Sequence, residues 1–170
     1  MNRLLLAFLA LTSVAAFAQP KGWNDAFPPH KVMDNLYYVG TKELASFLFV
    51  TPQGNILMNS NYESSVPVIR ANVEQLGFKF KDIRILLTSH AHSDHVAGNA
   101  LIKEITGAQV YVMQGDENVV ANGGRGQYLY DSLWKPCKAD RVLKDGDTVK
   151  LGDTTLTARL TPGHTRGCTT

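Results

Sequence analysis

Cysteine is scarce in this chain of 170 residues, and its charges nearly cancel. Its two cysteines, Cys137 and Cys168, form no Cys-x-x-Cys, which removes the paired-thiolate pattern of most structural zinc sites. The 17 basic side chains stand against 15 acidic ones, so the formal charge is only +2 and the basic face of a nucleic-acid binder is not to be expected. Repeats, low-complexity tracts and long charge runs are missing. The glycine cluster Gly123-Gly124-Arg125-Gly126 reads as a surface loop; without a following Lys-Ser/Thr it has no phosphate-loop order. The apolar run Leu4 to Val14 is too short to span a bilayer comfortably.

That run has another reading. Arg3 gives a positive start, the apolar stretch follows, and Ala16-Phe17-Ala18 is a small-x-small pattern before Gln19, which together describe a secretory signal peptide over residues 1–18. Residues 19–170 are then the folded part, with sixteen basic groups against fifteen acidic ones and no stable membrane insertion after cleavage. Export would place Cys137 and Cys168 in an oxidising compartment, where they could pair with each other or with something outside this sequence. Cys168 follows His164 closely, but a small buried residue or a disulfide half is the simpler reading, and it is left out of the metal site.

Histidine is what the chain concentrates. His90-Ala91-His92-Ser93-Asp94-His95 holds four potential metal ligands in six residues, and His164 adds a fifth from far along the chain. Imidazole nitrogen with carboxylate oxygen suits zinc, and a catalytic zinc takes three protein ligands and leaves a position for water. Residues i and i+2 share a side only in extended chain, so His90 and His92 can grip one ion only if the backbone there is strand-like. Asp94 and His95 are neighbours whose side chains diverge in regular backbone. A second metal beside the first resolves this, since two ions roughly 3.5–4 Å apart form a recognised hydrolytic arrangement. His30, in Phe27-Pro28-Pro29-His30, has no such company and reads as a loop or surface residue.

The surrounding pattern is α/β. Leu36–Val39, Phe47–Val50 and Asn55–Met58 read as an antiparallel meander with a turn at Pro52-Gln53-Gly54. From Ser65 as cap, Val66, Ile69, Val73 and Leu76 recur at helical steps until Gly77. Ile83–Leu87 is a nearly continuous apolar stretch, as for a strand buried on both faces, and it runs straight into Thr88-Ser89-His90. The ligands therefore belong at a strand's carboxyl end, where α/β sheets bind their ligands. Ser93 would cap a helix carrying Val96, Ala100, Leu101 and Ile105, weakened by Gly98 unless that glycine permits close packing. Gln109–Met113 is the next strand. Asp147–Leu151 and Thr155–Leu160 flank Gly152-Asp153 as a hairpin that delivers Thr161-Pro162-Gly163-His164. The chain stops just past this ligand, and a domain rarely ends inside its own site, so the front portion of a longer protein is expected.

These residues resemble the metallo-β-lactamase superfamily. The resemblance rests on His90 to His95 after a buried strand, on Thr161-Pro162-Gly163-His164-Thr165-Arg166-Gly167, and on Asn35-Leu36-Tyr37-Tyr38-Val39-Gly40. It implies an αββα sandwich, here cut after the third histidine ligand. With the export signal, the chain is most similar to the third subclass of class B β-lactamases, whose site has no cysteine ligand. The resemblance further implies that His90, His92 and His164 hold a first Zn2+, and that Asp94 and His95 hold a second together with a histidine beyond Thr170. Asn59-Ser60-Asn61 departs from the pattern, since many members carry an aspartate after that strand.

The implied activity is hydrolysis of a small-molecule β-lactam (penicillin, cephalosporin or carbapenem) by zinc-activated hydroxide. Asp94 would serve as ligand and orienting group, and the setting would be a bacterial periplasm, where the reaction confers antibiotic resistance. Ser89 and Ser93 are read as turn or cap residues, not nucleophiles. The alternatives are a glyoxalase-type thioesterase or lactonase of the same superfamily, or a secreted zinc-binding module without turnover.

Overall fold

The computed structural model describes residues 21–125 and 133–170. The expected leader over 1–18, and Gly126 of the glycine cluster, lie outside the described residues.

Four strands open the fold as an antiparallel ribbon: β1 (His30–Met33), β2 (Leu36–Tyr38), β3 (Phe47–Thr51) and β4 (Gly54–Met58). Pro52 and Gln53 turn the chain between β3 and β4, pairing Thr51 with Gly54. The expected meander is present and is extended by β1. His30, read from sequence as a loop or surface residue, is exposed but begins that edge strand. Its ring stacks on that of its cross-strand partner Tyr38, with centroids 5.5 Å apart and planes at 17°. Cross-strand pairing puts it there; the local Phe27-Pro28-Pro29 carries no strand signal.

After β4 the connections become helical and the pairing becomes parallel. Helix α1 (Val66–Gln75) returns the chain to β5 (Ile83–Leu87). Helices α2 (Ser93–Val96) and α3 (Asn99–Thr106) lead to β6 (Gln109–Met113), and α4 (Glu117–Ala121) precedes β7 (Arg141–Leu143). Among the described residues seven strands thus form one mixed sheet in the order β1 to β7, and β8 (Thr148–Leu151) with β9 (Thr154–Thr157) makes a separate two-stranded sheet.

The pleat of the large sheet divides the core. Leu57, Leu86, Val110 and Val112 face Ile69, Val73, Val96, Ile102 and Val120 of the helices. Ile56, Ile85, Leu87, Met113 and Leu143 pack with Val149, Leu156 and Ala158 of the hairpin region. Covering β5 on both faces is what its unbroken apolar run encodes, and each fully buried aliphatic chain contributes roughly 1.5–3 kcal/mol. The layers match the α/β sandwich expected. Among the described residues no helix is long and apolar enough to cross a membrane.

Three local expectations need correction. Ser65 occupies the position before α1 but makes no side-chain cap; its hydroxyl donates to Asn24 Oδ1. Ser93 lies inside the first turn of α2, where His92 holds the cap position, and the Ser93 hydroxyl has no hydrogen-bond partner among the described residues. The helix expected from Ser93 to Ile105 is broken into α2 and α3 at Ala97-Gly98. The break has a tertiary cause: a Cβ on Gly98 would lie 2.6 Å from the Ser60 carbonyl oxygen and 2.8 Å from Val66, so this glycine lets the chain press against the loop after β4.

The glycine cluster also differs from a surface loop in its first half, because Gly123 and Gly124 are buried in the turn that closes α4. The hairpin is present, though β9 ends at Thr157 and Leu160 joins Thr169 through an isolated bridge.

Candidate metal centre

The carboxyl ends of β4, β5 and β6 lie on one edge of the sheet because these strands run parallel. Asn59 follows β4, Ser89 to His95 follow β5, and Asp116 follows β6. His164 comes from the segment after β9. The backbone bends from Ser89 to His92 instead of continuing as a strand, and His92 itself is extended, with φ −109° and ψ 154°. Ala91 is buried between the two histidines, and the His92 carbonyl accepts the His95 and Val96 N–H groups at 2.9 and 3.1 Å.

Two groups of ligand atoms converge here. His90, His92 and His164 offer nitrogens all within 4.8 Å of one another, and so do His90, Asp94 and His95 with their nitrogens and carboxylate oxygen. Ring centroids lie 4.8 Å apart for His90 and His92, 4.6 Å for His90 and His164, and 4.5 Å for His92 and His164. His92 is buried, His90 is half-buried and His164 is exposed, so the first group opens toward solvent on one side. Asp94 and His95 do not diverge as their adjacency suggested: one short turn of helix brings Asp94 Oδ2 within 3.5 Å of His95 Nε2. His90 belongs to both groups, and its ring centroid is 3.9 Å from that of His95. His30, Cys137 and Cys168 belong to neither group. Both cysteines are free thiols, Cys137 within the helical face of the core and Cys168 half-buried.

The charge state suits a cation. Burial first, then the neighbouring imidazoles of His95, His92 and His164, push His90 down to about 3. Burial also lowers His92, with His164 adding to the effect and Asp94 opposing it. Burial lowers His95 likewise, against the Asp94 carboxylate. Neutral imidazoles with free lone pairs are the form a metal binds. Asp94 Oδ1 is buried without a hydrogen-bond partner among the described residues, which is costly for a carboxylate unless a cation takes it up. The donor set and this orphaned oxygen both fit zinc.

Two supports around these ligands escaped the sequence reading. Ser89 N–H donates to Asn59 Oδ1 at 3.0 Å, which fixes that atom as the amide oxygen. The Ser89 hydroxyl must then donate its one proton to the same oxygen at 3.1 Å. Its lone pairs then face Nδ1 of His90 and Nδ1 of His95, each at 3.3 Å, an arrangement that favours the proton on Nδ1 of both rings and leaves Nε2 to serve as a ligand. Asn59 therefore still serves the site where an aspartate was expected, from a left-handed backbone at φ 62°. A serine directly before the first histidine was the available signal; turn formation explained it too easily.

The second support is Asp116. It is 2% exposed, and its carboxylate accepts from Ala91 N–H at 2.9 Å, Thr165 Oγ1 at 2.7 Å and Gly167 N–H at 2.8 Å. An aspartate between a strand and a helix reads as an N-cap, so nothing in the sequence marked it.

Known proteins resemble this chain in sequence and in fold. The family model described as the metallo-beta-lactamase superfamily matches residues 45–170. The native FEZ-1 metallo-beta-lactamase from Legionella gormanii is 54% identical, with a TM-score of 0.83 over 85% of this chain and 57% of its own. The class B3 di-zinc metallo-beta-lactamase LRA-12 from an Alaskan soil metagenome is 42% identical, with a TM-score of 0.87 over 91% of this chain and 60% of its own. Among curated proteins, the hydroxyacylglutathione hydrolase of Hyphomonas neptunium is 32% identical over 100 residues, which are 59% of this chain and 32% of that protein. The chain thus spans under two thirds of the length of each of these three relatives.

Proposed function

The chain belongs to the metallo-β-lactamase superfamily, and from that premise we propose that the protein is an exported zinc hydrolase that opens the ring of β-lactam antibiotics. The observation that carries this reading is the meeting of His90, His92 and His164 from two distant stretches, beside Asp94 and His95. In this reading the three histidines hold a first zinc, while Asp94 and His95 hold a second with a histidine outside residues 1–170. Zinc held there would polarise a carbonyl and lower the pKa of water to near neutrality.

The chain's own residues do the rest. With the orphaned Oδ1, which has no hydrogen-bond partner among the described residues, taken up by the cation, Asp94 would keep Oδ2, near His95, to orient the attacking water. The exposed side of the first group, at His164, is where an amide carbonyl would enter. Ser89 is not a nucleophile in this scheme, because its hydroxyl proton goes to Asn59 and its lone pairs go to the two histidines. The substrate class follows the identity to the Legionella gormanii and soil-metagenome lactamases, and residues 1–18 support delivery to a periplasm, where such hydrolysis would confer resistance.

A second reading has its own support, since a hydroxyacylglutathione hydrolase is 32% identical over the shared region. Purified natural protein offered a carbapenem, a penicillin and a glutathione thioester, each with and without chelator, separates the two. Chelator-sensitive ring opening is expected. Brisk thioester cleavage without ring opening reverses the assignment, and zinc binding with no hydrolysis of either class leaves a binding module.

A further inference from the structure

The loop carrying His90 and His92 follows the large sheet, whereas the loop carrying His164 follows the small one. Among the described residues no strand pairing between the two sheets sets their separation, although three imidazoles must meet within a few tenths of an ångström to share an ion. A backbone hydrogen bond from Thr169 N–H to the Ser89 carbonyl, at 2.8 Å, joins the bases of the loops. Nearer the ligands, the Asp116 side chain touches both: Ala91, between His90 and His92, and Thr165 and Gly167, on the far side of His164.

Resting on the reading that these histidines bind a metal, we propose that Asp116 is the positioning residue of the first site, its carboxylate clamping the two ligand loops at the separation one ion requires. Three features favour this over a helix cap or a generic buried polar group. Asp116 occupies the cap position of α4, yet its side chain makes no cap bond and is turned to the loops instead. The approach is close enough to depend on glycine: a Cβ on Gly167 would lie 2.8 Å from Asp116 Cβ, Cγ and N, and one on Gly115 would lie 3.0 Å from the Arg166 carbonyl carbon. The chemistry also demands a carboxylate, because both oxygens face donors. In Asp116→Asn, placing Nδ2 where Oδ2 sits turns it on the Ala91 N–H, and placing it where Oδ1 sits turns it on the Gly167 N–H. Either way one loop loses its anchor while side-chain volume is kept. A buried carboxylate is expensive to desolvate, so a contact with no need of two donorless oxygens would be better made by a neutral acceptor.

The test uses the natural full-length protein titrated with Co2+, followed by visible absorption, with circular dichroism reporting the fold. His164→Ala serves as reference for loss of the first site. Asp116→Asn is expected to stay folded and to bind the first cobalt about 10–100-fold more weakly, with an altered absorption band, while occupancy of the other site changes less. Thr165→Val removes one of the three bonds and no backbone donor; it should show a smaller loss in the same direction at an unchanged melting temperature. If Asp116→Asn does not fold, the Thr165→Val titration decides. Wild-type affinity and spectrum in a folded Asp116→Asn, or in Thr165→Val when it must decide, overturn the proposal. A His164→Ala protein indistinguishable from wild type would instead sink the metal-site reading, and the clamp with it.

Discussion

Replacing Ser89 with alanine should disturb both candidate metal positions at once. Its hydroxyl oxygen is the acceptor for Nδ1 of His90 and of His95 at 3.3 Å each, and its proton goes to Asn59 Oδ1 at 3.1 Å. Without it, neither ring is held to the Nδ1-protonated form, and a ring that moves its proton to Nε2 loses its lone pair for metal. An unsatisfied buried donor costs about 1–3 kcal/mol, and half-burial of these rings argues for the lower end. A loss of about 1.4 kcal/mol is tenfold in affinity, so both ions should bind about tenfold more weakly. Competition with a chromophoric chelator, with zinc content read by mass spectrometry, measures this. Nitrogen chemical shifts of the imidazoles in the metal-free protein report the tautomers directly. Ser89→Thr keeps the hydroxyl and should recover most of the loss. Wild-type affinity for both ions in Ser89→Ala, with both rings still protonated on Nδ1, would refute the reasoning.

Other expectations follow from the same residues. His92→Ala should remove first-site metal and nearly all hydrolysis, whereas His30→Ala, on the exposed edge strand, should change neither; equal losses would contradict the site. Gly98→Ala should destabilise by about 1–3 kcal/mol, because its methyl would lie 2.6 Å from the Ser60 carbonyl oxygen; an unchanged urea midpoint would mean the loop yields freely. Asp140 is pushed up by partial burial, but the Lys103 hydrogen bond, the Val110 N–H and the Lys103 charge outweigh this and hold its carboxyl below the usual aspartate range. The unfolded chain therefore takes up the proton first, so the stabilisation is complete above about pH 4 and fades as pH falls through the lower folded value. Asp140→Asn should thus cost about 1 kcal/mol at neutral pH, with the pair partly solvent-screened, and progressively less as pH falls through the lower folded value in thermal melts.

What the sequence made legible was whatever each segment decides alone. Ile83–Leu87 announces a two-sided strand because burial on both faces suppresses alternation, and His90 to His95 announces candidate ligands because no common local structure needs those side chains together. The hairpin at Gly152-Asp153 is likewise a local matter. What stayed hidden was decided elsewhere in the chain: β1 exists because Tyr38 pairs with His30, and the helix after His92 breaks because Ser60 comes close to Gly98.

The site divides along the same line. The ligands are rare residue types in a tight spacing, visible without a fold, but the groups that aim them are a serine, an asparagine and an aspartate, each with an adequate explanation as turn, loop or cap. Ser89 and Asp116 become informative only when their partners are known, because their bonds run to Asn59 and Ala91, which follow parallel strands sharing a carboxyl edge, and to Thr165 and Gly167, which follow the separate small sheet. A metal site legible as a list of ligands is therefore incompletely specified. The tautomers of His90 and His95 and the distance between the two loops depend on these neighbours, and substitutions at Ser89 and Asp116 test them without removing a single candidate ligand.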